Sequence, residues 1–161
     1  MSKRYVSFDE TKMLCIEIMR QMYLSEWKPE LIIGVTRGGA LPAVLLSQML
    51  GVKMVGLDVS LRDNTKYGPE TNAWAAEDAL AGEKILIVDD INDTGATINW
   101  IVNDWGPEIK WGEVVRFATL FDNEASDSKI DVSYMGTTIN KATNPEWIVF
   151  PWEDFWLPKY E

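Results

Sequence analysis

Histidine is missing from this chain of 161 residues, and only one cysteine is present, Cys15. Without histidine, Ser-His-Asp and Cys-His catalysis, imidazole metal ligation and imidazole proton transfer are all excluded. Acid–base chemistry therefore depends on Asp and Glu side chains. Cys15 has no partner for a disulfide or a zinc cluster, and the apolar stretch around it predicts a buried core residue.

Long apolar runs and an excess of positive charge are also missing. No run approaches the roughly 18 residues that span a bilayer, and residues 1–5 lack the apolar segment of a secretory signal. Fifteen Lys and Arg stand against 25 Asp and Glu, a net charge of −10, so there is no long-range positive field to collect nucleic acid or anionic membrane. We therefore expect a cytoplasmic protein that binds neither nucleic acid nor membrane.

Short apolar segments alternate with amphipathic ones along the chain. The patterns predict strands over 31–35, 53–61, 84–88, 113–121, 132–139 and 147–150, and helices from the Ser7 capping box to about residue 24, over 43–50 and over 98–105. Such alternation is typical of an α/β domain with a mainly parallel, five-strand-like central sheet flanked by helices.

The length favours a single domain over 1–161. We expect a core over about 25–121 and a small C-terminal hood over about 122–161, with the N-terminus as a further candidate part of the hood. The polar segment 62–82 is predicted to be a long mobile excursion, with a short helical piece over 74–80.

The segment VDDINDTGAT (88–97) leaves a predicted strand and enters a helix, so it lies at the carboxyl edge of the sheet, where α/β proteins bind ligands. Its small, hydroxylated residues 94–97 can wrap a phosphate at the positive end of the helix dipole. Asp89, Asp90 and Asp93 crowd three carboxylates beside them, which favours a nearby cation or ligand hydroxyls. A sugar phosphate with a divalent metal fits this pattern; the alternative is a solvated acidic turn before an ordinary capped helix.

The same segment resembles the 5-phosphoribosyl-1-pyrophosphate (PRPP) motif of the type I phosphoribosyltransferases. The segment GVTRGGALP (34–42) resembles the pyrophosphate loop of that family, and WIVFPWE (147–153) resembles the base-binding segment of its bacterial xanthine-guanine branch. The three matches come in the family's order. The resemblance implies the type I phosphoribosyltransferase fold, and an enzyme that transfers a 5-phosphoribosyl group from PRPP to a purine base, with 6-oxopurines favoured.

The resemblance also implies a role for individual residues, Mg²⁺ as cofactor, and a homo-oligomer, either a dimer or a tetramer. The implied roles are ribose and metal binding for Asp89 and Asp90; acid–base catalysis for Asp93; 5-phosphate binding for Asp93, Thr94, Gly95, Ala96 and Thr97; pyrophosphate binding for Arg37 and Gly38; base binding for Trp147 and Ile148; and a further metal ligand in Glu153. A strained or cis peptide is expected at the step from Arg37 to Gly38.

One departure from the family concerns recognition of the base. The 6-oxopurine branch has a lysine just after the fourth strand, where this chain has Asn123. The Asn123 amide could face a 6-oxo or a 6-amino group, which makes it the candidate base reader, while Lys129 is interpreted as a solvated loop charge. Two other functions stay open: a regulatory protein that senses PRPP or nucleotide, and a phosphoribosyltransferase for another base.

Overall fold

The computed structural model describes residues 1–59 and 73–158. Its elements in chain order are β1 (Ser2–Tyr5), α1 (Phe8–Leu24), β2 (Leu31–Thr36), α2 (Ala40–Leu50), β3 (Met54–Asp58), α3 (Ala73–Leu80), β4 (Ile85–Asn92), α4 (Ala96–Trp105), β5 (Val115–Asn123), β6 (Tyr134–Ile139), β7 (Glu146–Val149) and α5 (Pro151–Asp154).

Five strands form the main sheet in the order β3-β2-β4-β5-β6, and each neighbouring pair is parallel. Helices cover both faces: Leu86 and Val88 of β4 pack with α1 and α2, whereas Ile85 and Ile87 pack with α3 and α4. A strand buried on both faces has no polar face to alternate, which explains its continuous apolar sequence. The mainly parallel α/β sheet flanked by helices is confirmed.

Two element bounds differ from the predicted ones in ways that affect the site. The strand predicted over 84–88 continues to Asn92 because β5 pairs with it as far as Asp122, so the first two acidic residues lie on the strand. Helix α2 begins at Ala40, three residues early. Pro42 is tolerated there because amides in the first helical turn need no intrahelical partner.

The chain ends meet in a second, two-stranded sheet, in which β1 pairs in parallel with β7, from Ser2 opposite Glu146 to Tyr5 opposite Val149. Neither β1 nor the short helix α5 is predicted by the sequence pattern. Strand β6 belongs to the main sheet, which therefore extends past residue 121 into the range expected for the hood.

The predicted excursion over 62–82 is only partly described. Its helical piece is present as α3, whereas residues 62–72 and the end of the strand predicted over 53–61 lie outside the described residues. Among the helices in 1–59 and 73–158, none is both long and apolar enough to cross a membrane.

Candidate active site

A cleft of about 1110 Å³ opens at the carboxyl ends of β2 and β4, the edge at which parallel α/β sheets bind ligands. Strand β7 and helix α5 contribute to its wall. The structure brings all but one of the predicted site residues to this cleft: Arg37, Gly38, Asp89, Asp90, Asp93, Thr94, Gly95, Ala96, Thr97, Trp147, Ile148 and Glu153. The exception is Asn123.

The candidate phosphate loop (residues 93–97, hereafter the phosphate loop) runs from the end of β4 into the first turn of α4 and lines the cleft. Gly95 is the N-cap of α4 and has φ +92°, a left-handed conformation that favours glycine. Because glycine has no side chain to cap the helix, Gly95 leaves the amides of the first turn after Ala96 without a side-chain cap, and these can bind an anion. The Ala96 amide is engaged within the loop, because it donates a hydrogen bond to the Thr94 hydroxyl at 3.2 Å.

Asp89 and Asp90 form an acid pair at the end of β4. Asp89 Oδ1 accepts from the Asp90 amide at 2.8 Å, and Asp90 Oδ1 accepts from the Ile91 amide at 2.7 Å. Burial raises the pKa of Asp89 well above its usual range, and repulsion from Asp90 adds to this shift. Burial also raises the pKa of Asp90. Ionisation of either carboxyl is therefore unfavourable in the folded protein, and a bound cation would offset this cost.

The acid pair touches the loop after β2. A Cβ added to Gly38 would overlap the Asp90 carboxylate, so any larger residue there would force the Asp90 side chain to move. Arg37 is exposed in the cleft beside it. The cis peptide bond in this loop joins Thr36 to Arg37, one step before the position that the resemblance implied.

The acid pair fits a magnesium ion that is shared with a phosphorylated ligand. No Lys or Arg in residues 1–59 and 73–158 forms an ion pair with Asp89 or Asp90. Mg²⁺ prefers oxygen ligands and commonly uses one or two protein carboxylates together with water and substrate phosphates. Within the part of the chain that the structure describes, no three acidic or cysteine side chains cluster as a complete metal site.

Glu153, the further metal ligand expected from the resemblance, also lines the cleft. Its carboxylate accepts a hydrogen bond from the Phe150 amide at 3.2 Å and so helps to cap α5. Its negative charge also raises the pKa of Asp90, although less than burial does.

At the other end of the cleft, Lys141 and Asp93 form an ion pair beside Trp147. Lys141 Nζ lies 3.0 Å from Asp93 Oδ1 and 5.8 Å from the centre of the Trp147 ring. Trp147 is 41% exposed, whereas the neighbouring Ile148 is buried against the cleft. An aromatic face, a carboxylate and an ammonium group therefore meet at one place.

Asn123 does not reach the cleft, which corrects its expected role as the base reader. Its side chain is only 5% exposed. Its Nδ2 donates to the Asp93 carbonyl at 2.8 Å, while its Oδ1 accepts from the Lys141 amide at 3.0 Å and from the Ala125 amide at 3.2 Å. The amide is occupied by backbone groups and positions Asp93 and Lys141 instead.

Lys141 is the cleft residue that sequence reasoning missed, although a signal for it was present. It follows the predicted strand 132–139 by two residues. Parallel strands have their carboxyl ends at the same edge of a sheet, so Lys141 lies at the edge from which Asp93 also projects. Lys141 therefore follows β6, one strand after the position at which the resemblance implies a lysine.

The fold and the cleft together define an α/β protein whose candidate ligand site lies at the carboxyl edge of a parallel sheet. The model of the phosphoribosyl transferase domain family matches residues 2–155. The chain belongs to this family, which confirms both the resemblance and the enzyme class predicted from the sequence.

Named relatives lie in the purine branch of the family. The chain is 30% identical over 125 residues to a xanthine-guanine phosphoribosyltransferase of Cereibacter sphaeroides, covering 76% of this chain and 68% of that protein. A solved purine phosphoribosyltransferase from Pyrococcus horikoshii Ot3 matches with a TM-score of 0.69 and 27% identity, over 100% of this chain and 99% of that chain. A Helicobacter pylori xanthine-guanine-hypoxanthine phosphoribosyltransferase shares the fold, with a TM-score of 0.68, 23% identity and coverage of 96% and 95%.

Proposed function

We propose that this protein transfers a 5-phosphoribosyl group from PRPP to a 6-oxopurine base, releasing pyrophosphate and a nucleoside monophosphate. The observation that carries the proposal is the ion pair between Asp93 and Lys141, which lies beside the exposed Trp147 ring and next to the phosphate loop. The names of the two relatives with 27% and 30% identity support the choice of a purine.

In the proposed complex, the phosphate loop binds the 5-phosphate of PRPP through the amides and hydroxyls of residues 94–97. Asp89 and Asp90 orient the ribose hydroxyls. Arg37 and the Gly38 amide bind the leaving pyrophosphate through a charge and a hydrogen bond. Mg²⁺, held by Asp89 and Asp90 with PRPP, would neutralise charge on the pyrophosphate oxygens.

The proton chemistry falls to Asp93. In the proposed geometry the purine stacks on Trp147 and the Ile148 backbone contacts its edge, so that N7 faces Asp93. As N9 bonds to C1 of the ribose and the bond from C1 to pyrophosphate breaks, Asp93 accepts the proton from N7. One Asp93 oxygen stays paired with Lys141 during this transfer.

Lys141 gives the proposal its base preference. An ammonium group can only donate hydrogen bonds, so it favours an oxygen at C6 over an amino group. A charge-assisted bond also discriminates more strongly than the neutral amide bond expected from Asn123.

The test is pyrophosphate release from PRPP and Mg²⁺ with one base at a time. We expect guanine, hypoxanthine and xanthine to be substrates and adenine to be a poor one. In Lys141→Gln the ratio of kcat/KM for guanine to that for adenine should fall by about tenfold or more, because an amide can donate or accept. Lys129→Gln, which changes an exposed lysine outside the cleft, should keep the ratio.

The same assay tests Asp93 and separates the alternatives. Asp93→Asn should lower turnover by roughly 10²–10⁴-fold, the usual contribution of a general acid or base. Binding of PRPP without pyrophosphate release for any base would favour a sensing protein. Exclusive use of adenine or a pyrimidine would favour a phosphoribosyltransferase for another base.

The proposal extends to the state of the protein in the cell, a cytoplasmic homo-oligomer that is a dimer or a tetramer. Exposed apolar side chains on α1, including Met13, Ile16 and Tyr23, support self-association.

A further inference from the structure

The segment after β5 lies directly against the phosphate loop. The Asp127 amide donates to the Thr94 carbonyl at 3.0 Å. Gly95 approaches the same segment so closely that an added Cβ would lie 2.5 Å from the Ser128 nitrogen. We call residues 126–129 the backing segment.

Asn99, one turn into α4, binds the backing segment through two side-chain hydrogen bonds. Its Nδ2 donates to the Asp127 carbonyl at 3.0 Å, and its Oδ1 accepts from the Lys129 amide at 2.7 Å. The Asn99 backbone amide donates to the Gly95 carbonyl at 2.9 Å. Asn99 therefore connects Gly95 of the phosphate loop to the backing segment.

A second asparagine, just before the phosphate loop, forms similar side-chain hydrogen bonds. Asn92, at the end of β4, is 5% exposed, and its Nδ2 donates to Ser126 Oγ and to Asp122 Oδ1, both at 2.9 Å. The phosphate loop thus begins and ends at residues that bind the same region of the chain.

We infer that Asn99 is a positioning residue for phosphate binding, acting through the backing segment. This inference rests on the proposed function. Residues 94–97 of the phosphate loop are small, Thr94 and Ala96 are exposed, and Gly95 has a left-handed conformation that competes with many others in a free chain. Backbone amides bind a phosphate well only when they already point at it, so the loop needs support from outside.

The test compares two ligands of the proposed site that differ in phosphate: ribose 5-phosphate and guanine. In Asn99→Ala, calorimetry should give a dissociation constant for ribose 5-phosphate that is higher by about tenfold, from the loss of two hydrogen bonds, and an unchanged one for guanine. KM for PRPP should rise by a similar factor, with KM for guanine and kcat near the wild-type values. Asn103→Ala, an exposed asparagine one turn later on α4, should behave like wild type.

If Asn99 had a purely structural role, the substitution would change the melting temperature and not the affinity for ribose 5-phosphate. If Asn99→Ala lowered only the melting temperature, with both dissociation constants unchanged, the inference would be overturned. Asn99→Asp provides a second variant should the alanine variant not fold: it keeps the acceptor for the Lys129 amide but turns a carboxylate oxygen towards the Asp127 carbonyl. It too should weaken ribose 5-phosphate selectively, and equal affinity to wild type would contradict the inference.

Failure of the proposed function would look different. Wild-type protein that binds neither ribose 5-phosphate nor PRPP contradicts the proposed function and the inference together. Wild-type protein that binds both, with variants indistinguishable from it, contradicts the inference alone.

Discussion

The Asn123 side chain connects the two charged residues of the Asp93–Lys141 ion pair. Its amide holds the Asp93 carbonyl and the Lys141 amide, and it is buried while doing so. An Asn123→Lys variant would place a lysine where the 6-oxopurine branch has one, but it would remove these bonds and bury an ammonium group. We expect it to lower the melting temperature and the activity with guanine, because unpaired buried polar groups cost about 1–3 kcal/mol each.

The comparison for this variant is Asn103→Lys, which makes the same change at an exposed position of α4. Thermal unfolding of the three proteins measures the difference. A stable Asn123→Lys protein with increased preference for 6-oxopurines would restore Asn123 as a base reader and remove that role from Lys141.

At the scale of elements, β4 carries its acid pair on the strand itself, and this makes stability depend on pH. Burial raises the pKa of both Asp89 and Asp90 in the folded chain. A raised folded-state pKa contributes stability that is full below the unfolded-state pKa and is lost as pH rises through the folded-state pKa. The ligand-free protein is therefore destabilised by this pair at neutral pH, where the unfolded chain has both groups ionised.

Asp89→Asn removes one charge and keeps the oxygen that accepts from the Asp90 amide. We expect a higher melting temperature than wild type at about pH 7.5 and a gain that shrinks as the pH falls, because protonation of the carboxyls in the folded wild type then removes the same charge. Calorimetry across this range, with the exposed Asp104→Asn as control, measures the effect. An equal melting temperature for Asp89→Asn and wild type at the higher pH would contradict the destabilisation by the buried, ionised acid pair.

The helices and strands differ in how well the sequence pattern predicts them. The central strands β2, β4 and β5 could be predicted because burial on both faces leaves continuous apolar runs, and the phosphate loop because its residue types suit phosphate chemistry. Strand β1 could not, since Ser2–Tyr5 is charged and mostly exposed and its strand form depends on β7, far along the chain. Asn99 was missed for a related reason: the partners of its side chain come from the backing segment, so no local pattern marks it.

At the scale of the whole molecule, a net charge of −10 opposes association between copies of the chain. Self-association must then depend on apolar contact. On α1, Met13, Ile16 and Tyr23 are 58%, 39% and 82% exposed and share one outward face of the helix, on which Arg20 also lies. Met and aromatic side chains of this kind are enriched at interfaces between subunits.

We expect light scattering to give at least twice the chain mass of 18.3 kDa, with tighter association at higher salt. Salt shortens the range of repulsion, to about 10 Å at 0.1 M, while leaving apolar contact in place. Ile16→Glu should shift the protein towards the monomer, whereas Asn103→Glu, the same charge change on the opposite face of the sheet, should not. A wild-type monomer at all salt concentrations would contradict the oligomer, and an oligomer unaffected by Ile16→Glu would move its interface away from α1.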